Sequence, residues 1–231
     1  VPKRSRHAPL TPEQLTRTIG SLGPAEAADA LEAMDPGLAA EVLQRINPSL
    51  VGDIIPELEQ RSRATLFAAT PEHVTQQWSL NLTFPEDSVG RLMELPPQTF
   101  RPDESVAAAS EKVRTLPREA FFTYAFVLDA DRRLVGLCTM RDLLAADDDA
   151  TLGDIMLRDV FTLQPSTPLR DAMQQVVHKH FPVYPVCDVA GRFLGEVRGA
   201  AMFQEHAVEI SAQPGQMVGV NDEERLLTPW T

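Results

Sequence analysis

A block near residues 90 to 140 recurs about sixty residues later, and this duplication limits the possible fold more than any other feature of the chain. Gly90, Met93, Pro102, Val106 and Val113 are matched by Gly153, Met156, Pro165, Leu169 and Val176, each pair 63 positions apart. After a four-residue contraction the match resumes, with Val127, Asp129 and Gly136 against Val186, Asp188 and Gly195. Two copies of one unit imply a pseudo-two-fold pair with clefts between them, the geometry of a small-ligand sensor rather than of a catalyst.

Each copy reads as strand, helix, strand, strand, helix. In the first, Gln98 to Arg101 is a short strand, Ser105 to Arg114 a helix, Phe121 to Leu128 and Leu134 to Cys138 paired strands, and Met140 to Ala146 a closing helix. In the second the corresponding elements are Phe161 to Gln164, Leu169 to His178, Val183 to Cys187, Phe193 to Val197 and Ala200 to Ile210. Asp129 to Arg133 and Asp188 to Arg192 have hairpin chemistry, with Gly191 free to take a positive φ.

The first eighty residues carry a shorter period. Thr11-Pro12, Gly23-Pro24, Asp35-Pro36 and Asn47-Pro48 fall every twelve residues, each a capping residue before a proline suited to the first helical turn. Offsets of three, seven and ten from each proline give one apolar stripe per short helix: Leu15, Ile19, Leu22; Ala27, Leu31, Met34; Ala39, Leu43, Ile46; Val51, Ile55, Leu58. Helices of two or three turns are not stable alone in water, so these must stack, and the pattern predicts an α-solenoid to about Trp78. Thr70-Pro71 is expected to open its last helix slightly out of period. Offset five reads Arg17, Asp29, Glu41, Asp53, a column of three carboxylates if the repeats superpose; a solvated face is the alternative.

Composition narrows the function classes. The 231 residues include 21 basic and 33 acidic side chains, a net charge of −12 that argues against a nucleic-acid partner and suits cation binding. Cys138 and Cys187 lie in apolar runs and read as reduced, buried thiols. No run approaches the roughly 20 apolar residues that span a bilayer, and both ends of the sequence read as cuts within a longer protein. His7, His73, His178, His180 and His206 form no metal-hydrolase or triad spacing, and no glycine-rich phosphate loop appears, so an enzyme is not expected.

The closing motif of the first copy, Gly136-Leu-Cys-Thr139-Met-Arg141-Asp142, resembles that of the cystathionine-β-synthase (CBS) domain, and two such units in tandem resemble the paired regulatory module these domains form. The joint Phe84-Pro-Glu-Asp-Ser-Val-Gly-Arg-Leu-Met93, following a solenoid of short helices, is similar to that of the cytosolic portion of MgtE-type magnesium transporters. The resemblance implies a helical N domain over residues 1–83, CBS domains over 84–148 and 149–206, and a linker over 207–231 leading to a transmembrane domain. The expected fold is thus an α-solenoid followed by an α/β tandem CBS pair of β-α-β-β-α units. The expected setting is a homodimer on the cytoplasmic face of a bacterial inner membrane.

In such transporters magnesium between acidic surfaces holds the modules together, which implies an ion-sensing, gating region here. Asp29, Glu41, Asp53, Glu86, Asp87, Asp188, Glu205 and Glu209 are the candidate Mg2+ ligands. Other acidic ligand positions of the family align with Pro168, Arg170, His180, Ala201, Gln204, Ala212 and Gln213, so the set in the second CBS domain is depleted and Glu209 stands out as retained. Glu196, the run Asp147 to Asp149, and Asp222 to Glu224 are further acids that could compensate. The CBS resemblance also implies a second reading, an adenine-nucleotide sensor for ATP or a relative, with Thr139 and Asp142 meeting ribose and phosphates and Arg141 pairing with phosphate. The second copy puts Arg198 in place of the hydroxyl and Ala201 in place of the carboxylate, so at most one nucleotide site is expected. Asp142 as a plain helix cap, and the whole region as a dimerisation scaffold, are the remaining alternatives.

Overall fold

The computed structural model describes residues 11–118 and 120–203. The N-terminal part is a stack of six helices: α1 (Pro12–Ile19), α2 (Pro24–Glu32), α3 (Pro36–Leu43), α4 (Pro48–Glu57), α5 (Gln60–Ala69) and α6 (Glu72–Asn81). Their starts keep the twelve-residue interval throughout, so the last helix is in period and not displaced as the sequence suggested. Thr11, Asp35 and Asn47 each accept a hydrogen bond from a main-chain N–H of the first turn that follows, which explains why these helices begin where they do. The start of α5 has no proline. Instead the Glu59 N–H that precedes it donates to Glu32 Oε1 of α2 at 2.8 Å, a support supplied from another repeat.

Each helix packs on the next but one, α1 on α3, α2 on α4 and α3 on α5. The predicted stripes meet in one core: Ile19, Ala27, Leu31, Ala39, Leu43, Ile46, Val51, Ile55 and Leu58 are buried, with Leu15, Leu22 and Met34 packed against them.

After a 3-10 turn at Val89–Leu92 come β1 (Thr99–Phe100), α7 (Val106–Arg114), β2 (Tyr124–Leu128), β3 (Leu134–Thr139) and α8 (Met140–Ala145). The second copy supplies α9 (Leu152–Ile155), α10 (Leu169–Val176), β4 (Val183–Cys187) and β5 (Phe193–Arg198), and residues 199–203 are helical. In the first copy β1 runs parallel to β2 and β2 antiparallel to β3. In the second, β4 and β5 pair antiparallel, and the strand expected at Phe161 to Gln164 is reduced to one parallel bridge, Leu163 to Val186. That bridge is the counterpart of Phe100 to Val127 in the first copy, shortened rather than lost.

The copies exchange their leading segments. Val89 and Gly90 donate to the carbonyls of Thr167 and Pro165, and the equivalent Leu152 and Gly153 donate to Glu104 and Pro102. Glu94 and Glu196 trade two main-chain hydrogen bonds of 2.8 Å, just as Leu157 and Leu137 trade bonds of 2.8 and 3.0 Å. Val89, Leu92 and Met93 therefore lie in the core of the second copy, while Leu152 and Met156 lie in that of the first. The hairpins meet on the pseudo-dyad: Arg133 bridges Arg192, its own equivalent, above Phe126 and Phe193, whose ring centroids are 5.1 Å apart.

Close approach at the exchange depends on two equivalent glycines. A Cβ on Gly136 would sit 2.8 Å from the Leu157 carbonyl oxygen, and one on Gly195 would sit 2.7 Å from that of Glu94. Gly136→Ala and Gly195→Ala should each cost about 1 to 3 kcal/mol, lowering the calorimetric Tm by roughly 2 to 4 °C per kcal/mol. Unchanged midpoints would show that the leading segments are not seated this closely.

Candidate functional site

The pseudo-dyad creates two equivalent places where a closing motif faces a leading segment, and the sequence has furnished them differently. At the first, β3 ends on Thr139, which caps α8. Thr139 Oγ1 accepts from the Asp142 N–H at 3.3 Å, while the Thr139 N–H and hydroxyl donate to Asp142 Oδ2 at 2.7 and 2.8 Å. The expected nucleotide-binding pair is thus brought together, and it also forms the helix cap anticipated as the alternative. Arg141 is exposed one residue away. Leu157, 56% exposed, pairs through its main chain with Leu137 two residues before Thr139, and Met140, next to Thr139, is also exposed.

At the second place Arg198 stands where Thr139 does and Ala201 where Asp142 does. The Arg198 guanidinium donates to Glu94 Oε2 at 2.6 Å and lies 4.6 Å from the centroid of the Phe121 ring. Glu196, two residues earlier on β5, is buried. Burial pushes its carboxyl up to about 8, with the neighbouring Glu94 charge adding to the rise and Arg198 opposing it. Burial also raises Glu94, against the pull of Arg198. The loss of the hydroxyl and carboxylate, legible in the sequence, is therefore also the gain of a part-exposed ion pair at this place. Glu94 and Phe121 carried no signal of this, because their partner is a lone arginine far along the chain.

The candidate magnesium ligands are dispersed. Asp29, Glu86 and Asp87 are exposed. Glu41 accepts from Arg45, which also reaches Glu13 at 2.8 Å. Asp188 accepts from the Ala190 and Arg192 N–H groups and from Arg192 Nε; the main-chain hydrogen bond from Arg192 is the largest reason its carboxyl is held below the usual range. It serves as a turn cap, as Asp129 does in the first copy. Glu205 and Glu209 lie outside the described residues. Asp29 and Asp53 stand on α2 and α4, which pack on each other, and Glu41 on the intervening α3. Among the described residues no group of three or more His, Cys, Asp or Glu side chains is placed to hold a metal ion.

Asp53 instead faces a protein cation. Arg91, in the 3-10 turn of the joint, keeps only 7% of its side chain exposed and brings Nη2 to 3.4 Å from both Asp53 Oδ1 and the Gly52 carbonyl oxygen. A Cβ on Gly52 would lie 3.3 Å from the guanidinium, so this glycine admits the arginine. Asn81 of α6 adds a 2.7 Å hydrogen bond to the Met93 carbonyl. Between the modules a cleft of about 470 Å³ is bordered by His73 and Trp78 on one side and by Glu94, Gln98, Arg132 and Phe193 on the other.

The family model described as the MgtE intracellular N domain matches residues 8–98, and the CBS domain model matches residues 89–149 and 152–198. The chain is an MgtE-type region, an N domain followed by a CBS pair. The magnesium transporter MgtE of Enterococcus faecalis is 29% identical over 101 residues, 44% of this chain and 22% of that protein. The inosine-5'-monophosphate dehydrogenase of Nitrosopumilus maritimus is 39% identical over 70 residues, 30% of this chain and 14% of that enzyme. The chain thus spans less than a quarter of either relative. The fold matches a crystal structure of the cytosolic domain of the Mg2+ channel MgtE in complex with ATP, with TM-score 0.72 and 22% identity, over 85% of this chain and 81% of that one. The MgtE-type N domain and CBS pair are not enzymes.

The seam between these MgtE-type modules gives a direct test. Arg91→Met should cost about 1 to 3 kcal/mol, since it removes hydrogen bonds from a buried position, and should expose the 84–97 joint to limited proteolysis. Asp53→Asn, at a half-exposed partner, should cost under about 1 kcal/mol. Equal effects of the two substitutions would mean that Arg91 contributes no more than an exposed ion pair.

Proposed function

We propose that this chain is the cation-responsive regulatory region of an MgtE-type magnesium transporter. In this reading it is continuous with a transmembrane domain, lies on the cytoplasmic face of the membrane and works as a homodimer with no nucleic-acid partner. The observation that carries the proposal is the joint. From the joint, Val89, Leu92 and Met93 enter the second CBS core with Phe84 packed against it, so in this reading a change in the CBS pair reaches the N domain through main-chain hydrogen bonds and through Arg91.

Magnesium is the proposed ligand because it retains several waters and needs only one or two carboxylates per site, which suits single acids on opposed surfaces. Two carboxylates at about 4 Å repel by roughly 4 kcal/mol at an effective dielectric near 20, and a divalent ion between them reverses the sign. One site at ten times its Kd contributes about 1.4 kcal/mol, whereas moving an equilibrium from 1:99 to 99:1 takes about 5.5. Several of Asp29, Glu41, Asp53, Glu86, Asp87, Asp188, Glu205 and Glu209 must therefore act together, between protomers or between modules.

A second reading is favoured by one observation. Thr139 and Asp142 stay adjacent beside exposed Met140 and Leu157, while the counterpart carries Arg198 paired with Glu94, so in this reading a single adenine nucleotide is held at Thr139, Arg141 and Asp142. Calorimetric titration with Mg2+, and separately with ATP, distinguishes the two. Heat with Mg2+ alone supports ion sensing, and heat with ATP that Asp142→Ala abolishes supports the nucleotide site. A chain that binds neither and stays monomeric by light scattering at micromolar concentration contradicts both.

A further inference from the structure

The two halves of the CBS pair share a main-chain arrangement but place unlike side chains on it. At one junction the paired residues are Leu137 and Leu157; at the other they are Glu196 and Glu94. The duplication thereby supplies its own comparison, the same exchanged edge built once with apolar residues and once with two acids. Glu196 is 6% exposed and makes no side-chain hydrogen bond among the described residues. Glu94 is bonded to Arg198, whose guanidinium carbon lies 4.6 Å from the Phe121 ring centroid and whose buried Nε has no acceptor among the described residues. The nearest guanidinium is thus already engaged by one carboxylate. A second carboxyl, buried and without a donor of its own, is accommodated there as the neutral acid.

We propose that Glu196 is the proton-binding element of a latch in which Glu94, Glu196 and Arg198 hold the leading segment of the first copy on β5 while Glu196 is protonated. Loss of that proton to solvent sets two carboxylates against one guanidinium and weakens the junction. Among the described residues, three further polar side chains border it. From α6, Gln77 approaches Gly195 and His73 shares the cleft with Glu94, and from the β2–β3 turn Arg132 lines the same cleft. Beside Glu94, the Met93 carbonyl accepts from Asn81 of α6, so release of this segment loosens the N domain as well.

The sign follows from the carboxyl's position. Glu196 titrates at about 8 in the folded chain and near its ordinary 4.5 once the junction opens. The latch is therefore strongest in acid, weakens as pH rises from about 4.5, and has lost this contribution above about 8. It requires no bound ion or nucleotide, so it stands or falls separately from the sensing function proposed above.

Hydrogen exchange of the whole chain between pH 6 and 9, with the intrinsic pH dependence of exchange divided out, tests the latch. Opening at the Glu94 and Glu196 amides should rise by more than about tenfold across this range, while the Leu137 and Leu157 amides, which share the geometry but not the charges, should stay level. Glu196→Gln should abolish the rise. The double variant Glu94→Leu/Glu196→Leu, which copies the first junction, should be flat in pH and provides the comparison should the single variant fold poorly. Parallel behaviour of the two wild-type junctions, or a rise that survives in a folded variant, would overturn the proposal.

Discussion

The structure depends on the reciprocal exchange of leading segments between the two CBS copies. Neither copy closes its own core: the first takes Leu152 and Met156 from the second and lends it Val89, Leu92 and Met93. Main-chain hydrogen bonds fix the exchange, Gly90 to Pro165 and Gly153 to Pro102, where a slip by one residue would turn buried side chains outward. Because the lent segment of the first copy is also the exit from the solenoid, the N domain is attached to the second copy although it precedes the first in sequence.

Duplication under this constraint explains how unlike sites arise on matching backbones. The scaffold tolerates any side chains at the junctions that leave the glycine approach and the paired amides intact. One junction has kept an open polar cap at Thr139 and Asp142 beside apolar residues. The other carries a part-exposed arginine paired with Glu94 beside the buried Glu196. A fixed guanidinium also stands at the seam, where Arg91 lies against Asp53. Each of these guanidiniums is covalently attached and always charged, so contacts made this way do not vary with the supply of a soluble cation.

Much of this was legible in the sequence, for local reasons. Prolines after capping residues mark the starts of α1 to α4, and the twelve-residue stripes name the solenoid core nearly residue by residue. The start of helix α5 has no proline signal, because Gln60 stands in that place and the Glu59 N–H before it donates to Glu32, 27 residues away. The 63-residue spacing identified the two copies, but a repeat period does not distinguish a segment packed on its own copy from one packed on its twin. The contacts of the candidate sites were the least visible. Arg91 meets Asp53 across 38 positions and Arg198 meets Glu94 across 104, and no pattern along the chain encodes such pairs. Arg198 reads in sequence only as a lost hydroxyl, and the helix cap at Asp142 is the part of its role that local spacing does reveal.

Residue-resolved NMR during urea unfolding tests the exchange most directly. If each copy completes the other, the amide signals of Gly90 and Gly153 must disappear at one midpoint with one slope, because neither leading segment can leave without opening both cores. Loss of one signal at a clearly lower urea concentration, with the other still native, would show that the copies fold as separate units and would contradict the account.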